Sequence, residues 1–157
     1  MKPLNSPLEV GMRALVLLAE TFPEPLDVSA LVLLDHAMLH SGELLGPPSL
    51  HPDVPAQPGE LGMKRRLMEQ GLLVLMRAGL ADMTTSPDGF VYQATAQGAG
   101  LVDIFEAPYV GQLCRRAEWA VEHYAPGTDV REATRHITER WMDQLERETS
   151  ELGARHG

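Results

Sequence analysis

Two histidines, His36 and His40, stand four residues apart with Asp35 beside the first. On a helix this spacing puts both imidazoles on one face, where they could share a divalent metal ion. A zinc hydrolase of the His-Glu-x-x-His kind also needs a glutamate directly after the first histidine as general base. Here that residue is Ala37, and His51 falls in the loop that follows. The pair therefore reads as ordinary polar or packing histidines, with no metal expected; a metal-dependent hydrolase built on His36 and His40 is the rival. Cys114 precedes Arg115 and Arg116, whose charges would favour a thiolate. It also holds an apolar position beside Leu113, which makes it a structural thiol. There is no Gly-rich phosphate loop, no G-x-S-x-G and no C-x-x-C. No catalytic residue, cofactor or metal site is assigned, and a non-enzymatic protein is expected.

Lys64, Arg65 and Arg66 form the one dense basic cluster and are the candidate nucleic-acid contacts. Consecutive helical positions fan out by about 100°, so at most two of the three point the same way. They could touch phosphates from the start of a helix, or form a solvated face balanced by Glu60 and Glu69; the second is favoured. The chain carries 13 Lys and Arg against 22 Asp and Glu, a net charge of −9. Proteins that grip nucleic acid on their own are mostly basic, because phosphate contacts supply much of the affinity.

The elements that must position these residues centre on Lys64–Gly98. Leu67, Leu72, Leu75 and Met76 recur at helical spacing, and Gly79 sits where that helix should stop. Strands over Ala81–Thr85 and Phe90–Ala94 flank Ser86-Pro87-Asp88-Gly89, in which Pro fixes φ and Gly tolerates a positive one. This hairpin holds Asp82 and Asp88 and no Lys or Arg. Thr95 caps the next helix. Helix, hairpin, helix in this order resembles the core of a winged-helix domain, with the hairpin as the wing.

Upstream, Ser6-Pro7-Leu8-Glu9 is a capping box that opens a first helix to about Glu20, with Leu8, Met12, Leu15 and Ala19 as its stripe. A second helix starts near Asp27, presents Leu31, Leu34 and Met38, and ends at Gly42. Residues 43–59 then form a long proline-rich loop in which no regular element can persist. A third helix covers Glu60–Ala78. After the hairpin, a helical period from Ala96 runs through Leu101, Ile104 and Phe105, is kinked or restarted at Pro108, and continues through Leu113, Ala117, Ala120, Val121 and Tyr124. Pro126-Gly127 ends it.

A last helix, from Asp129 to about Leu152, has a narrow apolar stripe of Val130, Ile137, Trp141 and Leu145 in otherwise charged surroundings. A helix with one apolar edge packs on one neighbour, and an exposed Trp favours an interface. These four residues are the candidate partner contacts, to a second copy or to another protein; docking of Trp141 onto the preceding helix of the same chain is the alternative. The expected organisation is thus mainly α with a small β-hairpin: a winged-helix-like domain over 1–125 and a C-terminal interaction helix over 126–157. Apolar residues make up 44% of the chain, a globular composition. No apolar run approaches the roughly 18 residues of a membrane span. The N-terminus lacks a signal-peptide pattern and the single cysteine cannot close an internal disulfide, so a cytoplasmic protein is expected.

Three stretches carry a family resemblance: NSPLEVGMRALVLLAETFPEPLDVSALVLLDHAMLHSG, GPPSLHP and GELGMKRRLMEQGLLVLMRAGL. Together with their surroundings, from about Met1 to Tyr124, they look like the middle component of bacterial ABC three-component systems. The resemblance implies a small winged-helix adaptor beside an SMC-like or Rad50-like ABC ATPase and a third component, in defence against phage or plasmids. It implies DNA contact only within the complex, and it transfers no functional residues. From another class, the alternative is a stand-alone winged-helix DNA-binding transcriptional regulator.

The net charge and the acidic hairpin predict that the isolated protein binds duplex DNA no better than non-specifically, with Kd about 10⁻⁴–10⁻⁶ M at physiological salt. Titration of labelled duplex tests this, and sub-micromolar binding with a steep salt slope would overturn it.

Overall fold

A computed structural model describes residues 6–51 and 60–124, and beyond these only the single positions 139 and 153. Its elements in chain order are α1 (Pro7–Thr21), α2 (Val28–Leu39), a 3₁₀ turn (Ser41–Leu44), α3 (Glu60–Arg77), β1 (Ala81–Ser86), β2 (Gly89–Ala94), α4 (Ala96–Ile104) and α5 (Pro108–Tyr124). The chain is mainly helical with one antiparallel hairpin. The helix expected from Asp129, with Val130, Ile137, Trp141 and Leu145, lies outside the described residues, as do residues 52–59.

Helix α1 is the hub. Ser6 caps it by accepting from the Glu9 N–H at 3.2 Å, and Pro7 fills the first turn. Val10, Ala14, Leu15, Val16, Leu17 and Leu18 are all buried, more than one face of a helix can hold, so α1 must be covered on several sides. It packs against α2, α3, α4, α5 and β2. Leu8, expected in the stripe, is instead 67% exposed. It stands in the first turn, short of the layer formed by Val10 and Ala14.

The tightest crossing is between α1 and α3. A Cβ on Gly71 would lie 2.7 Å from the Gly11 backbone nitrogen, and one on Gly11 would lie 3.0 Å from the Gly71 carbonyl oxygen. The two backbones touch there, which brings Met68, Leu72 and Leu75 of α3 into the core beside Leu15 and Leu18. Helix α3 stops at Gly79, whose φ of 74° closes the helix end, with Leu80 N–H donating to Leu75 O at 2.9 Å.

Asp27 caps α2, accepting from the Ala30 N–H at 2.7 Å. Helix α2 ends at Leu39 rather than at Gly42, which lies inside the 3₁₀ turn. The following arm folds back instead of running on: Leu50 and His51 N–H both donate to Leu39 O, at 3.0 and 3.1 Å. The buried Ser41 hydroxyl donates to Pro47 O at 2.8 Å. Residues 43–51 of the proline-rich segment are therefore folded back onto α2, and the first of them belong to a 3₁₀ turn where no regular element was expected.

In the hairpin Ala81 pairs with Ala94, Met83 with Tyr92 and Thr85 with Phe90. Ala81, Ala94 and Tyr92 are buried, so this face looks into the core at its base. The extended residue between α1 and α2 joins it: Leu26 and Tyr92 exchange both backbone hydrogen bonds at 2.8 Å. Thr95 accepts from the Gly98 N–H at 3.0 Å to cap α4. The helical period then breaks after Ile104, leaving Ile104 and Phe105 exposed rather than in the stripe, and α5 restarts at Pro108.

Replacing Gly71 with Ala must push α1 and α3 apart, at a cost of about 1–3 kcal/mol. The same change at exposed Gly62, where an added Cβ meets nothing within 4 Å, should instead stabilise by up to about 1 kcal/mol through helix propensity. Urea unfolding of both variants measures the contrast, and equal responses would mean that the helices do not meet at Gly11.

Candidate functional site

The polar residues of the chain converge where α1, α2, the arm and α5 meet. Arg13 of α1 is 5% exposed, yet charged. Its Nε donates to Asp35 Oδ1 at 2.8 Å and a terminal nitrogen donates to Oδ2 at 3.3 Å, a two-point pairing that holds α1 to α2. Burial disfavours the guanidinium charge, and the Asp35 carboxylate more than offsets this, so the pKa of Arg13 is raised.

Next to this pair, α2 delivers His36 and His40 with ring centroids 4.9 Å apart. The helical spacing does place them together. Glu43, from the 3₁₀ turn, reaches back to both: its carboxylate is 3.5 Å from His36 Nε2 and 4.0 Å from His40 Nδ1. His51, at the end of the arm, stands edge-on to His40 with centroids 6.5 Å apart. Its Nε2 shares a 2.6 Å hydrogen bond with the Tyr109 hydroxyl of α5. The arm is further fixed to α5 by Arg116 Nε, which donates to Pro48 O at 3.0 Å. Gly46 lies directly under the Trp119 ring, where any Cβ would collide with it. The cluster thus ties four parts of the chain together.

All three histidines have lowered pKa values, first because burial disfavours the imidazolium. Lys64 adds to this at His36 and His40, and Arg13 at His51. His40 is pushed down to about 4. Glu43 works in the opposite direction at His36 and His40 without prevailing. Among the described residues, no three His, Cys, Asp or Glu side chains are placed to hold one metal ion. Cys114 is half-buried, and burial together with Glu20 and Asp103 raises its pKa, although Arg115 acts against them.

The three basic residues at the start of α3 do not act as one surface. Lys64 is half-buried, and its charge acts on His36 and His40. Arg65 donates to the Ser29 hydroxyl at 3.0 Å and pairs with Glu69 at 3.4 Å, bracing α3 against α2. Arg66 is exposed. Sequence reasoning did not single out Glu43, Tyr109, Trp119 or the Arg13–Asp35 pair. Of these only Asp35 stood out, as the neighbour of His36, and its partner Arg13 lies across a helix crossing.

A mainly helical protein, built around one central helix and carrying one hairpin, is what the elements and the cluster define. A family model described as ABC-three component (ABC-3C) system Middle Component 2 matches residues 3–147, and the chain belongs to this family. As a middle component it has partner components in a multi-component ABC system. Neither the curated proteins nor the solved structures compared with it give a match. No helix among the described residues is long and apolar enough to cross a membrane.

The depressed histidine pKa values fix a pH dependence. Well above pH 6.5 His36, His40 and His51 are neutral in both folded and unfolded chains. As pH falls below 6.5 the unfolded chain takes up protons that the folded cluster refuses, so stability is lost until about pH 4, where folded His40 protonates too. His40 alone should account for a loss on the order of 1–3 kcal/mol. Urea midpoints between pH 7.5 and 4.5 should fall less steeply for His40→Asn than for the parent chain. Parallel slopes would show that His40 titrates normally in the fold.

Proposed function

We propose that the chain is a non-enzymatic adaptor of an ABC-ATPase complex, acting in the cytoplasm beside an SMC-like or Rad50-like ATPase and a third component in defence against phage or plasmids. The family match over residues 3–147 carries this reading. The polar chemistry fits a subunit that works by contact: Arg13, Asp35, Glu43 and His51 are engaged within the fold, and Arg65 braces two helices. The order helix, Leu26 bridge, two helices and hairpin supports a winged-helix arrangement with the hairpin as wing. That order also favours the rival regulator. Against the rival stand the net charge of −9 and a hairpin without Lys or Arg. Of the candidate nucleic-acid contacts Lys64, Arg65 and Arg66, exposed Arg66 is the one to meet DNA in the assembled complex, and the Val130, Ile137, Trp141 and Leu145 stripe belongs to its protein interfaces, including contact between two copies.

Co-expression with the ATPase and third component of the same system tests the proposal. The three chains should co-purify, and Trp141→Ala should lose the assembly while its melting temperature stays near that of the parent, since truncating an interface Trp commonly costs at least about 2 kcal/mol of binding. Failure of the parent chain to associate, combined with sub-micromolar binding to a specific duplex, would favour the regulator.

A further inference from the structure

Among the described residues the outer edge of the hairpin is unpaired, and its geometry follows from one bridge. Tyr92 commits its backbone N–H and C=O to Leu26, on the side away from β1. In the antiparallel ladder its partner Met83 is therefore in a non-hydrogen-bonded pair, and the N–H and C=O of Met83 point away from β2. Alternation gives Thr85 the same direction. Among the described residues, no hydrogen bond reaches the backbone of Met83 or Thr85 from that side. Sheet edges are commonly closed by Lys, Pro or a bulge. The β1 strand, ADMTTS, has none of these.

The two faces of this edge differ in chemistry. Met83 and Thr85 share a face with Tyr92 and Phe90, and there Met83 is 44% and Phe90 56% exposed. Asp82 and Thr84 share the other face with Gln93 and Val91. Asp82 and Asp88 give the hairpin a purely negative charge.

We propose that β1 receives an extended, alternately apolar and basic segment of a partner component by strand addition. Backbone groups pair with Met83 and Thr85, apolar side chains cover Met83 and Phe90, and Lys or Arg side chains sit beside Asp82. The source of the strand rests on the adaptor function proposed above. Charge complementarity selects this occupant: a second copy would bring its own Asp82 and Asp88 to an edge that already carries both, whereas a basic strand neutralises them.

The probe is a labelled, end-capped Val-Lys alternating octapeptide, with a Val-Glu counterpart, titrated against the intact chain by fluorescence anisotropy. The Val-Lys peptide should bind saturably and the Val-Glu peptide at least about tenfold more weakly. Thr85→Pro removes an outward N–H without taking a bond from the β1–β2 ladder, so it should keep its melting temperature and bind roughly three- to tenfold more weakly. Asp82→Lys should reverse the preference between peptides. Equal binding of the two peptides, undiminished binding by Thr85→Pro, or no saturable Val-Lys binding overturns the proposal. A chain that still co-purifies with the ATPase but fails these tests keeps its adaptor function and loses the edge; one that passes them yet associates with neither component does the reverse.

Discussion

Everything in this fold leans on the contact between the α1 and α3 backbones at Gly11 and Gly71. Two helices usually keep their axes 8–10 Å apart because side chains stand between them. Two facing glycines remove that spacer, and α3 comes close enough to bury Met68, Leu72 and Leu75 against the central helix. The hairpin that follows α3 is carried in by the same approach, which sets Tyr92 within backbone hydrogen-bond reach of Leu26. Had either glycine a side chain, the core and the hairpin would both have to move.

The second constraint is electrostatic. A guanidinium at 5% exposure is tolerable only with a carboxylate in two-point contact, and Asp35 supplies it. The histidines beside this pair are held neutral, so the cluster stays polar without adding further charge. It joins the arm to α2 through Glu43 and to α5 through His51 and Tyr109. These interactions fix residues 43–51 of the arm, which proline content alone would not do.

The charge distribution bears on what the protein can meet. Of the three cations at the start of α3, Arg65 is engaged with α2 and Lys64 is half-buried near enough to act on His36 and His40, and the hairpin carries only negative charge. The start of α3 and the hairpin therefore present little positive charge to phosphate. A surface with an open strand edge, two exposed apolar side chains and acidic residues is better matched to protein. This agrees with membership in a family of middle components of ABC three-component systems.

Much of the architecture was legible in the sequence, because its signals are local. Ser6-Pro7, Asp27 and Thr95 act as caps within one turn of themselves, and Ser86-Pro87-Asp88-Gly89 closes a turn by its own dihedral preferences. Pro108 restarts a helix for the same reason. The family strings were legible too. What only the tertiary structure decided depends on residues far apart in the chain. His36 and His40 share a face by helical spacing, but Glu43, His51 and Tyr109 join them through a fold-back that no periodicity encodes. Arg13 is buried because Asp35 lies across a helix crossing. Gly42 looks like a helix stop, yet the helix ends at Leu39, whose carbonyl is claimed by Leu50 and His51. Leu8 and Ile104 match a helical stripe and are still exposed, because a stripe states which side of a helix is apolar, not where its neighbours end.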